Sequence, residues 1–233
     1  MRALLLFLLA LTCNSALASR GMFQALCEDR MAGSRAIVKS RLNGYRIDNT
    51  LSFRELPAKS QKPAPVNGAV LGVTATKYAT NIGYSAHVMR NPISRYECVS
   101  SQIEVTVSYE PTVIYIGKEF LPGTCAYREI LAHEMRHLNT YFEQLPKVEI
   151  AVREALVRRF NVKAEYGPAG QAQAALKREV ENVWVPFFTA QIKRADALHD
   201  VIDTPQEYAR LSRVCQGEVQ SFIAPNGQTN RTP

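Results

Sequence analysis

His133, Glu134 and His137 are the residues whose types and spacing most directly suggest chemistry, in the run Glu129-Ile130-Leu131-Ala132-His133-Glu134-Met135-Arg136-His137-Leu138. An α-helix advances about 100° per residue, so positions i and i+4 lie one turn apart on one face. Both imidazoles can then reach one metal ion. Glu134, beside the first, can take a proton from a water the ion activates instead of filling the coordination shell. The pattern supplies two ligands and a base, and a chain of this composition would show it by chance roughly 0.5% of the time. Ala126, Ile130 and Leu131 before it and Leu138, Tyr141, Phe142 and Leu145 after it predict a helix with a buried face. There, two histidines and a glutamate are costly unless a metal or polar partners satisfy them.

A catalytic zinc site takes three protein ligands and keeps a fourth position open. One extension of the motif would place Gly at 140 and His at 143, but Thr140 and Glu143 stand there. Glu143 falls near ~280° around the helix from His133, away from His137 at ~40°. Glu154, on a helix following Pro146, would face the motif if the two helices form an antiparallel hairpin. Arg153, Glu154, Arg158 and Arg159 read equally well as a solvated face. The more unusual cluster is C-terminal: Asp196, Asp200 and Asp203 surround His199. A histidine flanked by carboxylates has the composition of a ligand whose ring is oriented by its neighbours, although an acidic helix end with an exposed His has it too. His199 is therefore the favoured third ligand and Glu154 the alternative. Glu207 is assigned to a capping box with Thr204, and His87 to a polar position on a strand. Tyr141 and Tyr208 are candidates to stabilise an oxyanion.

The elements that must position these residues follow from the rest of the chain. Residues 1–18 have a basic start at Arg2, an apolar run from Leu4 to Leu11 and the ending Ala16-Leu17-Ala18. This predicts a signal peptide cleaved after Ala18 and a periplasmic or secreted product. No later apolar run approaches the ~18 residues that span a bilayer. Four cysteines then remain, Cys27, Cys98, Cys125 and Cys215, which suits two disulfides in an exported chain. Of three connectivities, Cys98–Cys125 and Cys27–Cys215 are favoured. No C-x-x-C pair supports a cysteine-zinc site. The net charge of +7 is spread without long Lys/Arg runs, which suits loose attraction to anionic polymers and is no nucleic-acid footprint.

Residues 19–233 are expected to form a single α+β domain, with a mostly antiparallel sheet over about 35–120 and a helical half over about 124–220. Strands are predicted near 36–38, 45–51, 70–78, 80–89, 95–99 and 112–116. The clearest sets Ile103, Val105, Val107 and Tyr109 against Gln102, Glu104, Thr106 and Ser108. An edge strand of such a sheet could hold an extended peptide beside the metal. Thr124 is a predicted N-cap for the motif helix and Pro146 its end, with a second helix over 147–160. A third runs from Gly167-Pro168 to Asp200 with a kink at Pro186, and a fourth starts at Thr204-Pro205-Gln206-Glu207.

Taken together, a sheet region with a Cys-bearing strand, an H-E-x-x-H helix, a long following helix and an Asp/Thr-containing segment resemble the predicted secreted zinc-dependent proteases of bacteria, a zincin-like family. The resemblance spans roughly residues 40–215, and its specific part is His133-Glu134-x-x-His137. Members carry Tyr-Asp followed by Thr-x-His-Gly near the C-terminal end. Here His199-Asp200-Val201-Ile202-Asp203-Thr204-Pro205-Gln206-Glu207 matches at Asp200 and Thr204 and lacks the His-Gly. The resemblance implies Zn2+ as cofactor, a peptide or protein substrate, and Glu134 as the base of a metallopeptidase. A degenerate member would instead be a non-catalytic envelope binding or assembly module.

Overall fold

The computed structural model describes residues 21–60 and 69–224. The signal peptide expected over 1–18, the connection at Pro63 and Pro65, and the tail beyond 224 lie outside the described residues. Helix α1 covers 21–30, followed by strands β1 (Arg35–Leu42), β2 (Arg46–Asp48), β3 (Gly72–Ala75), β4 (Tyr78–Asn91), β5 (Tyr96–Tyr109) and β6 (Val113–Ile116). Then come α2 (Cys125–Phe160), a short strand β7 (Glu165–Pro168), α3 (Ala172–Glu179), α4 (Val185–Asp196), α5 (Pro205–Arg213) and α6 (Glu218–Ile223). Strands fill the first half and helices the second, the α+β arrangement the sequence predicts.

The strands form two sheets, one in the order β1-β5-β4 with β7 also on β5, the other in the order β2-β6-β3. Ile103, Val105, Val107 and Tyr109 are buried while Gln102 and Glu104 are exposed, as the alternation predicts, but Thr106 is half-buried and Ser108 buried, so the polar face is covered toward the end of the strand. β3 runs antiparallel to β6 and β2 parallel to it. Strand β7 is a correction, because Gly167-Pro168 reads as the approach to a helix. Its residues instead pair antiparallel with Tyr96–Val99 at the start of β5, where Tyr166 stacks on Tyr96 with ring centroids 4.9 Å apart.

Helix α2 is a second correction. Thr124 caps it as expected, its hydroxyl accepting from the Tyr127 amide at 3.2 Å, but Pro146 lies inside the helix and does not end it. A proline there forfeits one backbone hydrogen bond, a cost of about 3 kcal/mol. Against that stand buried Ala126, Ile130, Leu138, Leu145, Val148, Val152, Leu156 and Phe160, spaced at three, four, seven and eight so that they share one stripe of the helix. At ~1.5–3 kcal/mol for each large side chain, the stripe outweighs the lost bond. The kink expected at Pro186 takes the form of a π-helical turn over Val180–Trp184, after which α4 begins with the proline in its first turn.

By contacts the chain divides into two compact units. The first comprises residues up to 39, 81–106 and 149–190. In it, α1 packs Phe23 and Cys27 against Cys98, with Met31, Tyr96 and Tyr166 alongside. The second comprises residues 40–80, 107–148 and 191 onward, with a core of Phe53, Leu71, Ile114, Ile116, Phe120, Ala126, Ile130, Leu138, Leu211 and Val219. Two disulfides form, but their pairing is Cys27–Cys98 and Cys125–Cys215, each with Cα atoms 5.7 Å apart. The sequence-based preference for Cys98–Cys125 and Cys27–Cys215 is overturned. The reason is packing: α1 lies on the start of β5, and the chain after α5 folds back onto the first turn of α2, where Glu218 accepts from the Ala126 amide. Among the described residues no helix is long and apolar enough to cross a membrane.

Candidate metal centre

The first half of α2 presents His133, Glu134 and His137 on its buried stripe, 5%, 3% and 8% exposed. Opposite them, in the same unit, the chain leaving α4 makes a 3-10 turn over Ala197–Val201, and the amides of Ile202 and Asp203 both donate to the His199 carbonyl. That turn puts His199 and Asp203, four residues apart, on one side. Thr204 then caps α5 by accepting from the Glu207 amide at 3.1 Å, with Pro205 in the first turn as the sequence predicts.

Three ligand atoms converge between these segments. His133 Nε2 and His137 Nε2 are 3.3 Å apart, and Asp203 Oδ1 lies 3.4 Å from the first and 3.0 Å from the second. Ligands held 2.0–2.1 Å from a tetrahedral ion are separated by about 3.3–3.4 Å, so the triangle has the dimensions of one face of such a shell. Two imidazoles and a carboxylate also match zinc's preferred donors. A second close group, Cys125, Cys215 and Glu218, offers no thiolate because both cysteines are in a disulfide.

Electrostatics follow from this packing. Burial would raise the Asp203 carboxyl, but hydrogen bonds and charge from His133 and His137 hold it well below the usual carboxylate range. For His133, burial disfavours the charged ring, and Asp203, Glu134 and Glu207 together outweigh it and move its pKa up. Glu134 is shifted upward by burial despite the two neighbouring imidazoles and Thr74. Tyr208 is pushed up by burial and by a hydrogen bond with Asp203, and burial among Asp196, Asp203 and Glu134 takes Tyr141 up to about 12. Both phenols stay protonated donors at neutral pH.

The outer faces of the two imidazoles are also held. His133 Nδ1 lies 3.2 Å from Glu207 Oε1, and that carboxylate is bonded in turn by Arg136 and Arg210. Arg210 holds Glu207 down to about 2 and reaches on to Glu129 at 2.7 Å. Arg136 Nη2 stands 2.9 Å from the same His133 Nδ1, so Arg136 and Glu207 together set the angle of the ring. His137 Nδ1 meets His199 Nδ1 at 2.9 Å, and the Tyr141 ring packs on His199 with centroids 4.2 Å apart. We expect Glu207→Gln to weaken zinc binding about 10–100-fold and Glu207→Ala to weaken it at least as much, read by chelator competition.

Strand β3 positions Glu134. Thr74 Oγ1 donates to Glu134 Oε2 at 2.9 Å and also lies 2.9 Å from the Glu134 carbonyl. Two residues earlier, a Cβ on Gly72 would stand 2.8 Å from Glu134 Oε1 and 2.9 Å from Ile130 Cγ2. Only a residue without a side chain lets the strand approach this closely. Gly72→Ala must therefore push the Glu134 side chain aside, with an expected stability loss of about 1–3 kcal/mol in urea titration.

The site residues expected from sequence thus fall into three groups. His133, Glu134 and His137 stand together on one helix face. His199 is buried at 4% exposure, but its Nδ1 faces His137 Nδ1, on the side away from the Nε2 triangle. Glu154 lies on an exposed helix face with its side chain 64% accessible and Arg158 4.0 Å away, and Glu143 is exposed too. Asp203, read from sequence as a carboxylate flanking His199, instead completes the group of three. The spacing His199-x-x-x-Asp203 repeats that of His133 and His137, a signal visible in the chain. Glu207 keeps its amide in the cap while its carboxylate turns to His133. Nothing local marks Gly72 or Thr74. Compared with known proteins, the chain matches no family model, no curated protein and no solved structure.

Proposed function

We propose that this chain is an exported zinc-dependent metallopeptidase in which His133, His137 and Asp203 hold the ion and Glu134 carries the proton. The observation that supports it most is the 3.0–3.4 Å triangle of two imidazole nitrogens and a carboxylate oxygen with a buried glutamate beside it. Zinc held there supplies a Lewis acid that lowers the pKa of a water and polarises a carbonyl. Glu134 accepts the proton of the attacking water and delivers it to the leaving amine, a role suited by its upward-shifted pKa. Thr74 holds one carboxylate oxygen in place during that exchange. Tyr208, a protonated donor hydrogen-bonded with Asp203, is the candidate to support negative charge on the substrate oxygen.

A peptide substrate is favoured by the position of β3. In the order β2-β6-β3 it is the outer strand, and among the described residues it pairs with β6 alone. Its residues Gly72 and Thr74 touch Glu134, so an extended chain pairing with this edge runs past the base. Export agrees with the two disulfides and with the leader-like first eighteen residues.

The near-complete burial of His133 and Glu134 favours one second reading, zinc as a closed structural clasp in a non-catalytic envelope module. Metal analysis of protein purified without added zinc, paired with cleavage of a quenched-fluorescent peptide library, separates the two. The peptidase holds close to one zinc per chain and loses cleavage to a chelator until zinc is restored. Zinc without any cleavage supports the clasp. A wild type with no bound metal, and a zinc affinity unchanged in His133→Ala, sinks both.

A further inference from the structure

Among the described residues, strand β4 is the outer strand of the sheet β1-β5-β4, and along 78–89 it contains no Asp, Glu, Lys, Arg or Pro. Charged residues make up 21% of the chain, and edge strands are where charge and proline are normally placed to prevent pairing with other chains. The run is also open. Asn81, Gly83, Tyr84, Ser85, His87 and Val88 are exposed, with Tyr84 at 39% and Val88 at 41%.

Its pattern has a centre. Alternate residues of a strand share a face, so Ile82, Tyr84, Ala86 and Val88 form one row and Asn81, Gly83, Ser85, His87 and Met89 the other. About Ser85 the first row is symmetric in apolar character. In an antiparallel pair of two such strands with Ser85 on the twofold axis, Ile82 stands opposite Val88 and Tyr84 opposite Ala86. Gly83 stands opposite His87, and the charged Arg90 falls opposite Thr80. Side chains directly opposite point to the same side of the sheet, so apolar meets apolar and no like charges meet. A partner with a charged strand would lose this match, whereas an identical strand satisfies it twice, as an isologous contact requires.

We propose that the partner of the β4 edge is a second copy of this chain, paired antiparallel about Ser85 so that the sheet continues across a twofold axis. The inference is independent of the metal reading, since it involves none of that site's residues. Sedimentation of the mature chain across a dilution series is expected to show a monomer–dimer equilibrium. Val88→Lys, at an exposed position, is expected to shift it to monomer with an unchanged circular dichroism spectrum. Mild oxidation of Ser85→Cys should give a covalent dimer, because Cα atoms opposite each other in such a pair lie about 4.5–5.5 Å apart, within disulfide reach. Asn81→Cys should not cross-link, since its symmetry mate lies about 27 Å away along the strand. The proposal is overturned by a wild type that stays monomeric at high micromolar concentration, including one whose β4 instead takes up an added extended peptide. It is overturned equally by a dimer that survives Val88→Lys, or by cross-linking at Asn81 as efficient as at Ser85.

Discussion

Replacing Asp203 with Ala is expected to abolish stoichiometric zinc binding, while His199→Ala only weakens it. Asp203 Oδ1 lies within 3.4 Å of both His133 Nε2 and His137 Nε2. Its loss leaves two neutral nitrogens, one short of the three protein ligands a catalytic zinc site needs. The His199 ring meets the site at His137 Nδ1, 2.9 Å away. Removing such a partner typically costs about 10–100-fold in affinity by freeing the ring and changing its basicity. Glu154→Ala, exposed beside Arg158, should leave affinity unchanged. Competition titration against a chromogenic chelator ranks the three variants. If His199→Ala abolishes binding and Asp203→Ala merely weakens it, the ligand assignment is reversed.

Glu134→Gln should lower peptide hydrolysis by about 10²–10⁴-fold, the usual contribution of a positioned proton-transfer group, with zinc content unaltered. The substitution is nearly isosteric, and the amide oxygen can still accept from Thr74. Glu134 is buried with its pKa shifted up, so removing the charge relieves a desolvation cost. The Glu134→Gln protein is therefore expected to be as stable as the wild type or slightly more so. That combination, lost turnover with retained metal and retained thermal midpoint, distinguishes a chemical role from a structural one. A variant that keeps wild-type turnover would remove Glu134 from the mechanism.

These two variants also mark how much of the site is written in the chain. The helix face bearing His133, Glu134 and His137 is local information, because a fixed rotation per residue decides which side chains share a face. The same holds for the Thr124 cap, the Thr204-Pro205 start of α5 and the in-out alternation over residues 102–105 of β5, each observed where the spacing places it. Pro146 defeated local reading because a single lost bond competes with burial along the whole stripe of α2, and burial depends on what the helix packs against. The disulfides failed for a related reason. Four cysteines fix that two bridges can form, but not which residues folding brings to 5.7 Å.

The choice between His199 and Asp203 shows the limit most clearly. Both sit in one short acidic segment, and both are carried to α2 by the same turn. Which atom joins the two Nε2 nitrogens is set by how that turn is wound, through the hydrogen bonds of Ile202 and Asp203 to the His199 carbonyl. An α+β chain, and a helix able to offer two imidazoles and a carboxylate, can be read from local periodicity alone. The third atom of the triangle, the glycine that lets β3 approach the base and the carboxylate that holds His133 emerge only when the chain is folded. Those are contacts between segments 60 or more residues apart, and no local periodicity encodes them.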